Sequence, residues 1–423
     1  MIMTRLLNST FIDPGDFSQV QCDIQLQTGM PAVILPPGNR RETDDHVIDC
    51  SGMFTMPAFA CGHHHVYSAL ARGMGSPRKS PENFREVLKY VWWTLDKCLD
   101  RDMIEASALA TAVACAKRGV TYVIDHHASP NAVSGSLDII AGAFEKIGVG
   151  HLLCYEISDR DGRDIALRGL EETDRYLQKR KGLVGLHAGF TVGDETLKQA
   201  VELSVKHQTG IHVHTAEDLW DQEFSVSTYG KRVVERFHEA GVMESHAAIL
   251  VHCLHLDDEE RALVSESPCW VAQNSESNQN NRVGLFSCRG LSPRIMLGTD
   301  GMHSDMLRSA KAAWLNAPKS DGIGYEDAYR RLRNINTYLE NNNFKAPGLF
   351  DLVVLDYPSP TPLTRENFAG HFIFGLESAH IRHVVANGEL IVNDGRIVKA
   401  NEAEILEFTR VQAKRLWTAM KKI

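Results

Sequence analysis

The sequence predicts an α/β fold, a (β/α)8 barrel joined to a small β domain assembled from both chain ends. Three observations point to it: the middle of the chain alternates apolar strand-like runs with helical patterns, the runs number eight, and both ends carry short β segments and turns. Alternation alone leaves a doubly wound open sheet as the competing arrangement. However, no phosphate-cradling glycine signature follows the first run, which leads instead into Gly62-His63-His64-His65. Length agrees: 423 residues suggest two to three domains of about 150 residues, or one barrel plus a smaller module.

The first fifty residues hold short alternating segments at 20–27 and 32–35, broken by Pro14, Gly15, Gly29 and the Pro36-Pro37-Gly38 turn. The eight central runs fall at 54–61, 121–125, 149–155, 183–187, 210–214, 248–252, 270–273 and 295–298, with helical patterns such as 103–117, 137–146, 195–206 and 231–240. Towards the far end, β-type runs return at 350–356, 380–386 and 389–392, with hairpin signals at Asn387-Gly388 and Asp394-Gly395. Residues 402–421 read as an amphipathic helix through Ile405, Leu406, Phe408, Val411 and Leu416. The expected units are 1–52 with 346–400 as a composite β domain, 53–345 as the barrel, and 401–423 as a terminal helix.

Composition excludes several functions. A formal net charge of −9, with no basic run longer than Lys179-Arg180-Lys181, argues against a nucleic-acid partner. No apolar stretch approaches the ~20 residues of a membrane span, and MIMTRLLNSTFIDPGD lacks the apolar core of a secretory signal. Nine cysteines, an odd number without a CxxC pair, do not form a disulfide framework. A cytosolic protein is expected. Histidine, at nineteen, is the unusual count.

In a barrel, strand ends converge on one mouth. The first run ends in His63-His64-His65, where alternation puts 63 and 65 on one face and turns 64 away. Alone, such a pair is a weak signal. The fifth run adds His214, with Glu217 just beyond; the sixth adds His252, and the eighth leads to Asp300. In isolation Glu217 reads equally as a helix cap and Asp300 as a turn residue. Together, three imidazoles and a carboxylate suit a catalytic divalent ion, zinc first, with iron or manganese also fitting.

This order of residues resembles the amidohydrolase superfamily, and within it the mononuclear-metal aminohydrolases, the group of guanine deaminase, triazine hydrolases and adenosine-type deaminases. The strings MPAFACGHHHVYSALARG, GVTYVIDHHASP, HVHTAEDLWD, SNQNNRVG and LGTDGMHSDM are most similar to an aminohydrolase branch of bacterial purine- and selenium-linked gene clusters. The likeness spans essentially the whole chain and implies a composite β-sandwich beside the barrel. By position it implies His63, His65, His214 and Asp300 as ligands of one metal ion. His187 stands where relatives with two metals carry a bridging lysine, and is expected to touch substrate. Often such proteins are homo-oligomers.

The implied activity is hydrolytic deamination of an amino-substituted N-heterocycle such as a purine, pteridine or pyrimidine, through metal-bound hydroxide formed at neutral pH. Asp300 takes the water proton, His252 orients the nucleophile, and Glu217 protonates a ring nitrogen and passes the proton to the leaving amine. Trp92 and Trp93, within the segment 72–96, form either a stacking wall and lid or an anchor into the core. Asn274, Glu276 and Asn278 resemble a loop that shapes the site, with Asn274 expected at the substrate; His126, His127 and Glu156 are further pocket candidates. Gln273 in place of a more usual histidine, Ser68 in place of a base-reading glutamine, and Cys61-Gly62 before the first ligand leave specificity open. The alternatives are another leaving group, as in a chlorohydrolase or an amide or amidine hydrolase, and a catalytically silent barrel in a catabolic complex.

Overall fold

The computed structural model of the chain describes residues 3–38 and 46–423; residues 1, 2 and 39–45, within the expected N-terminal β unit, lie outside it. Eight strands form the central sheet: β1 (Phe59–His64), β2 (Val120–His127), β3 (Gly150–Ile157), β4 (Val184–Ala188), β5 (Ile211–Thr215), β6 (Ile249–His252), β7 (Trp270–Gln273) and β8 (Ile295–Leu297). Each pairs in parallel with the next, in chain order. Parallel strands covered on both faces read as near-continuous apolar runs, which is why the alternation of runs and helices was visible.

The sheet curls until its ends meet. The carbonyl of His63 accepts hydrogen bonds from the main-chain N–H groups of Thr299 (2.9 Å) and Asp300 (3.1 Å), and His64 bridges Asp300 in parallel. Gly62 permits this approach, since a Cβ there would lie 2.9 Å from the Leu297 carbonyl oxygen and from Met296 Cγ. The result is a nearly closed eight-stranded barrel, which sets the open sheet aside. Alternation then divides the strand side chains. Ile124, Leu152, Cys154, Val251, Ala272 and Met296 pack together on one side, whereas Val123, Leu153, Val213, Leu250, Val271 and Leu297 join the larger apolar layer that includes the helices.

Both chain ends contribute to a second sheet of nine strands among the described residues, largely antiparallel. Its members are Met3–Ile12, Gln19–Gln27, Val33–Leu35, His46–Asp49, Phe54–Pro57, Leu352–Leu355, Ile381–Ala386, Glu389–Asn393 and Arg396–Ile397. The run 54–61 is thus two strands: Phe54–Pro57 pairs with Met3–Ile12 and Leu352–Leu355, and only from Phe59 does the chain enter the barrel. Asn387 (φ 52°) with Gly388 (φ 72°), and Asp394 (φ 46°) with Gly395 (φ 71°), occupy the left-handed region that tight hairpins require.

The helix Glu402–Met420 starts at Asn401, whose Oδ1 accepts from the Ala403 N–H (3.1 Å). It lies along the helix Arg101–Lys117, with ion pairs Lys117–Glu402 (2.6 Å) and Arg415–Asp100 (2.6 Å). Trp417 Nε1 donates to the Leu70 carbonyl (2.8 Å), so this helix also braces the segment that follows β1. All nine cysteines are free thiols, seven of them buried.

Candidate active site

Six side chains meet at the carboxyl ends of β1, β5, β6 and β8: His63, His65, His214, Glu217, His252 and Asp300. Their convergence depends on local departures from regular strand geometry. Strict alternation from Ala60 would put residue 62 inside the barrel and 63 outside it. Pairing with β2 slips in register between Cys61 and His64, and the His63 ring turns inward to meet His212 Nε2 (2.9 Å). At β6 the chain reaches φ 72° at His252 and 54° at Cys253; beyond β5 and β8, Ala216 (47°) and Asp300 (51°) are also left-handed. These turns aim His252, Glu217 and Asp300 at one point.

Asp300 Oδ1 lies 3.1 Å from His65 Nε2 and 3.4 Å from His63 Nε2, and His65 Nε2 lies 3.1 Å from His214 Nε2. Asp300 Oδ2 accepts from the Ser277 hydroxyl (2.5 Å). The outer ring nitrogens are already engaged: Nδ1 of His65 donates to the His126 carbonyl (2.7 Å), and Nδ1 of His214 to the His187 carbonyl (2.7 Å). This leaves each Nε2 lone pair directed inward, the arrangement that metal-binding imidazoles adopt. His63 Nε2 is buried and makes no hydrogen bond. Ligand atoms of His63, His214, His252 and Asp300 all lie within 4.8 Å of one another. An orphaned buried nitrogen, three oriented imidazoles and a carboxylate fit a divalent ion of the zinc type.

Burial holds the His63 ring down to about 3 and His214 well below the ordinary range, so both are neutral donors. For His65 burial acts the same way, but its bond to Asp300 and the charges of Asp300 and Glu156 outweigh it and lift the ring to about 9. Asp300 is held well below the carboxylate range; burial opposes this, and the adjacent His63, His65 and His252 rings prevail. Glu217 moves the other way, raised well above its ordinary value by burial and then by the Asp300 charge. His252 Nε2 stands between the two carboxylates, 3.3 Å from Glu217 Oε2 and 3.9 Å from Asp300 Oδ2.

The pattern model of the amidohydrolase family matches residues 54–333. The chain belongs to this family. A 5'-deoxyadenosine deaminase of Methanopyrus kandleri is 28% identical over 374 residues, 83% of this chain and 84% of that protein. Among solved structures, an adenosine deaminase from Xanthomonas campestris with bound zinc has 16% identity and a TM-score of 0.81, covering 99% of this chain and 98% of that one. An atrazine chlorohydrolase from Arthrobacter aurescens TC1, complexed with zinc, has 19% identity and a TM-score of 0.79, covering 98% and 100%.

The cleft of this amidohydrolase opens above the cluster. His65, His214, Glu217 and Asp300 form its floor, and Phe84, Trp92, Trp93, Phe190 and Trp220 supply aromatic walls. His187 lines it, its Nδ1 bonded to Thr191 Oγ1 (2.6 Å). Trp92 and Trp93 line it too while packing on the apolar core. Asn274 does not reach the cleft: it is buried with Nδ2 on the Ala272 carbonyl (3.3 Å), under Gly298, where a Cβ would lie 2.3 Å from Asn274 Oδ1. The family loop contributes through Asn278, whose Nδ2 donates to His252 Nδ1 (2.7 Å), while Glu276 pairs outward with His303 and Arg308.

Of the adjacent histidines, His126 bonds Glu156 Oε2 (3.0 Å) and His127 bonds Ser129 (2.9 Å). Sequence reasoning missed Arg160 and Asp96. Both line the cleft, and Arg160 is ion-paired with Asp96, Glu156 (2.7 Å) and Asp161 (3.2 Å). Only the fold brings residues 96 and 160 together, although an arginine four residues beyond Glu156 was a usable hint.

Proposed function

We propose that this amidohydrolase is a hydrolytic deaminase that removes an exocyclic amine from a purine-like heterocycle, with one zinc ion held by His63, His65, His214 and Asp300. The observation that carries the reading is the pair of carboxylates around His252. Both lie against His252 Nε2, Glu217 at 3.3 Å and Asp300 at 3.9 Å; burial and its neighbour's charge push Glu217 up, whereas the adjacent imidazoles hold Asp300 down. Two carboxyl groups pushed apart in this way are suited to acid and base roles in one turnover.

When bound, the ion supplies Lewis acidity and lowers the pKa of water towards ~7. Asp300, steadied by the Ser277 hydroxyl, accepts the proton of the attacking water. The protonated Glu217 carboxyl donates to the ring nitrogen beside the reacting carbon, so that attack does not leave charge on the ring. Glu217 takes up the proton that Asp300 removed from water and delivers it to the departing amine; as the carbonyl forms, the hydroxyl proton of the adduct returns to Glu217 and ammonia leaves. His252 takes Nδ1 as the acceptor from Asn278, which supports an Nε2–H aimed at the developing tetrahedral centre and a role other than ligand. The aromatic walls suit a flat ring.

Substrates named for the relatives, 5'-deoxyadenosine among them, are the first to try. A cytosolic location and a homo-oligomer belong to the same proposal. For the first, no helix among the described residues is long and apolar enough to cross a membrane. For the second, exposed Phe374 and Leu315 beside Trp314 and Tyr325 offer an apolar patch. The deciding experiment is metal content per chain together with ammonia release from purine nucleosides, free purines, pteridines and triazines. One equivalent of zinc with ammonia from a purine supports the reading; chloride or alkylamine release without ammonia would refute it.

A further inference from the structure

The aromatic wall of the cleft has a second cavity behind it. One short segment carries the wall: helices Phe84–Val87 and Trp93–Cys98, joined by a π-helical turn at Leu88–Trp92. In that turn the Trp93 N–H donates to the Leu88 carbonyl, five residues back. Such turns are rare and fall mostly at functional sites or hinges. Phe84, Leu88, Trp92 and Trp93 line the active-site cleft, whereas Tyr90, Val91 and Thr94 line the cavity on the other side. Its far wall is formed by residues 74–79 and by Trp417, Met420, Lys421 and Ile423, at and just past the end of the helix Glu402–Met420.

The lining is one-sided in charge. Met74, Val91, Trp417, Met420 and Ile423 give it an apolar floor, and Arg78, Lys79 and Lys421 stand around it, yet no carboxylate side chain lines it. Lys79 is held by Glu86 (3.3 Å) and the Tyr90 hydroxyl (3.0 Å). Arg78 and Lys421 have no ion-pair partner among the described residues, in a chain whose formal net charge is −9. Two unpaired cations beside apolar surface complement an anion that carries an apolar body.

We propose that this cavity is an effector site for a small carboxylate with an apolar body, its head on Arg78 and Lys421 and its body on Val91, Trp417 and Met420. The bound anion touches the wall only while Tyr90, Val91 and Thr94 stand against the C-terminal helix, so it favours that arrangement over others. Ordering the segment in advance lowers the cost of ordering Trp92 and Trp93 around a substrate.

The test uses the zinc-loaded full chain with octanoate, and 1-octanol as the uncharged control. A purely apolar cavity would prefer the alcohol. In titration calorimetry octanoate should bind about 10-fold more tightly, and the double variant Arg78→Gln with Lys421→Gln, both exposed positions, should lose that preference. Octanoate should also slow hydrogen exchange across residues 84–98 in the wild type and not in the double variant. Equal or tighter binding of octanol overturns the proposal, as does no binding because a second copy covers the face. Octanoate binding that the double variant leaves intact lies elsewhere, on the zinc for example, and overturns it too, as does unchanged exchange over 84–98. With octanoate present, KM for ammonia release should fall about fivefold, and an unchanged KM overturns the effector role. That last readout rests on the proposed function: if no substrate releases ammonia, the deaminase reading falls, and calorimetry and exchange still decide the site.

Discussion

The main-chain N–H of Asp300 donates to the carbonyl of His63 (3.1 Å), the same residue whose Nε2 lies 3.4 Å from Asp300 Oδ1. One pair of residues therefore both closes the barrel between its first and last strands and builds the candidate metal cage. In His63→Ala or Asp300→Ala, zinc content and deaminase activity should fall together, and the thermal midpoint should drop because a stabilising ion is lost with them. Elemental analysis beside calorimetry checks this; a variant that keeps full zinc would remove its residue from the ligand set.

Glu217 should separate from the ligands. Glu217→Gln keeps the shape and the bond from Asn281 Nδ2 (3.4 Å) but has no proton to relay. Zinc should stay at one equivalent while kcat falls about 10^2- to 10^4-fold, the usual worth of a positioned acid–base group. Undiminished turnover would overturn the proton-shuttle role.

Away from the site, Asp351 provides a pH test of stability. Burial raises its carboxyl to about 6, despite the Asn387 N–H that donates to it (2.7 Å). The folded value lies above the unfolded one, so the folded chain holds the proton more tightly. Its contribution is full below the unfolded pKa near 3.9 and is lost as pH rises through about 6. Asp351→Asn should flatten the pH dependence of unfolding free energy between about pH 4 and 6 by roughly 1–3 kcal/mol. Denaturant titrations across that range would show it; an unchanged slope would refute the assignment.

Gly298 carries a packing prediction. A Cβ there would lie 2.3 Å from Asn274 Oδ1 and 2.8 Å from the His63 carbonyl oxygen, both buried. Gly298→Ala should cost about 1–3 kcal/mol by overpacking and loosen zinc retention through His63. Chemical denaturation and a chelator challenge measure the two effects. A variant as stable and as retentive as the wild type would contradict the tight seam.

How far the sequence could be read follows from these particulars. His63, His65, His214 and Asp300 were visible because each stands at or just past the end of an apolar run, and such ends converge in a barrel. That His252 turns towards Glu217 and Asp300 was not legible from alternation, since it shares parity with outward-facing Leu250 and is turned in by its own left-handed backbone. The strand Met3–Ile12 was overlooked because buried Arg5 and Ser9 interrupt its apolar pattern. The partition of 54–61 between two sheets is marked in the sequence by Pro57 alone, at the end of the first strand. Asn274 resembled a substrate-binding loop residue, yet its side chain supports the seam beneath Gly298.

The left-handed corners at the strand ends have an evolutionary consequence. Aspartate and histidine tolerate that backbone better than most residues, so Asp300 and His252 satisfy geometry and chemistry at once. Ala216 and Cys253 have no such aptitude, and each stores strain of order 1–3 kcal/mol that only the shape of the site justifies. A lineage released from catalysis would be free to place glycine there and gain stability, whereas an active one must keep its carboxylate and imidazole aimed. Ala216→Gly or Cys253→Gly should then raise the thermal midpoint while loosening Glu217 and His252 and lowering turnover.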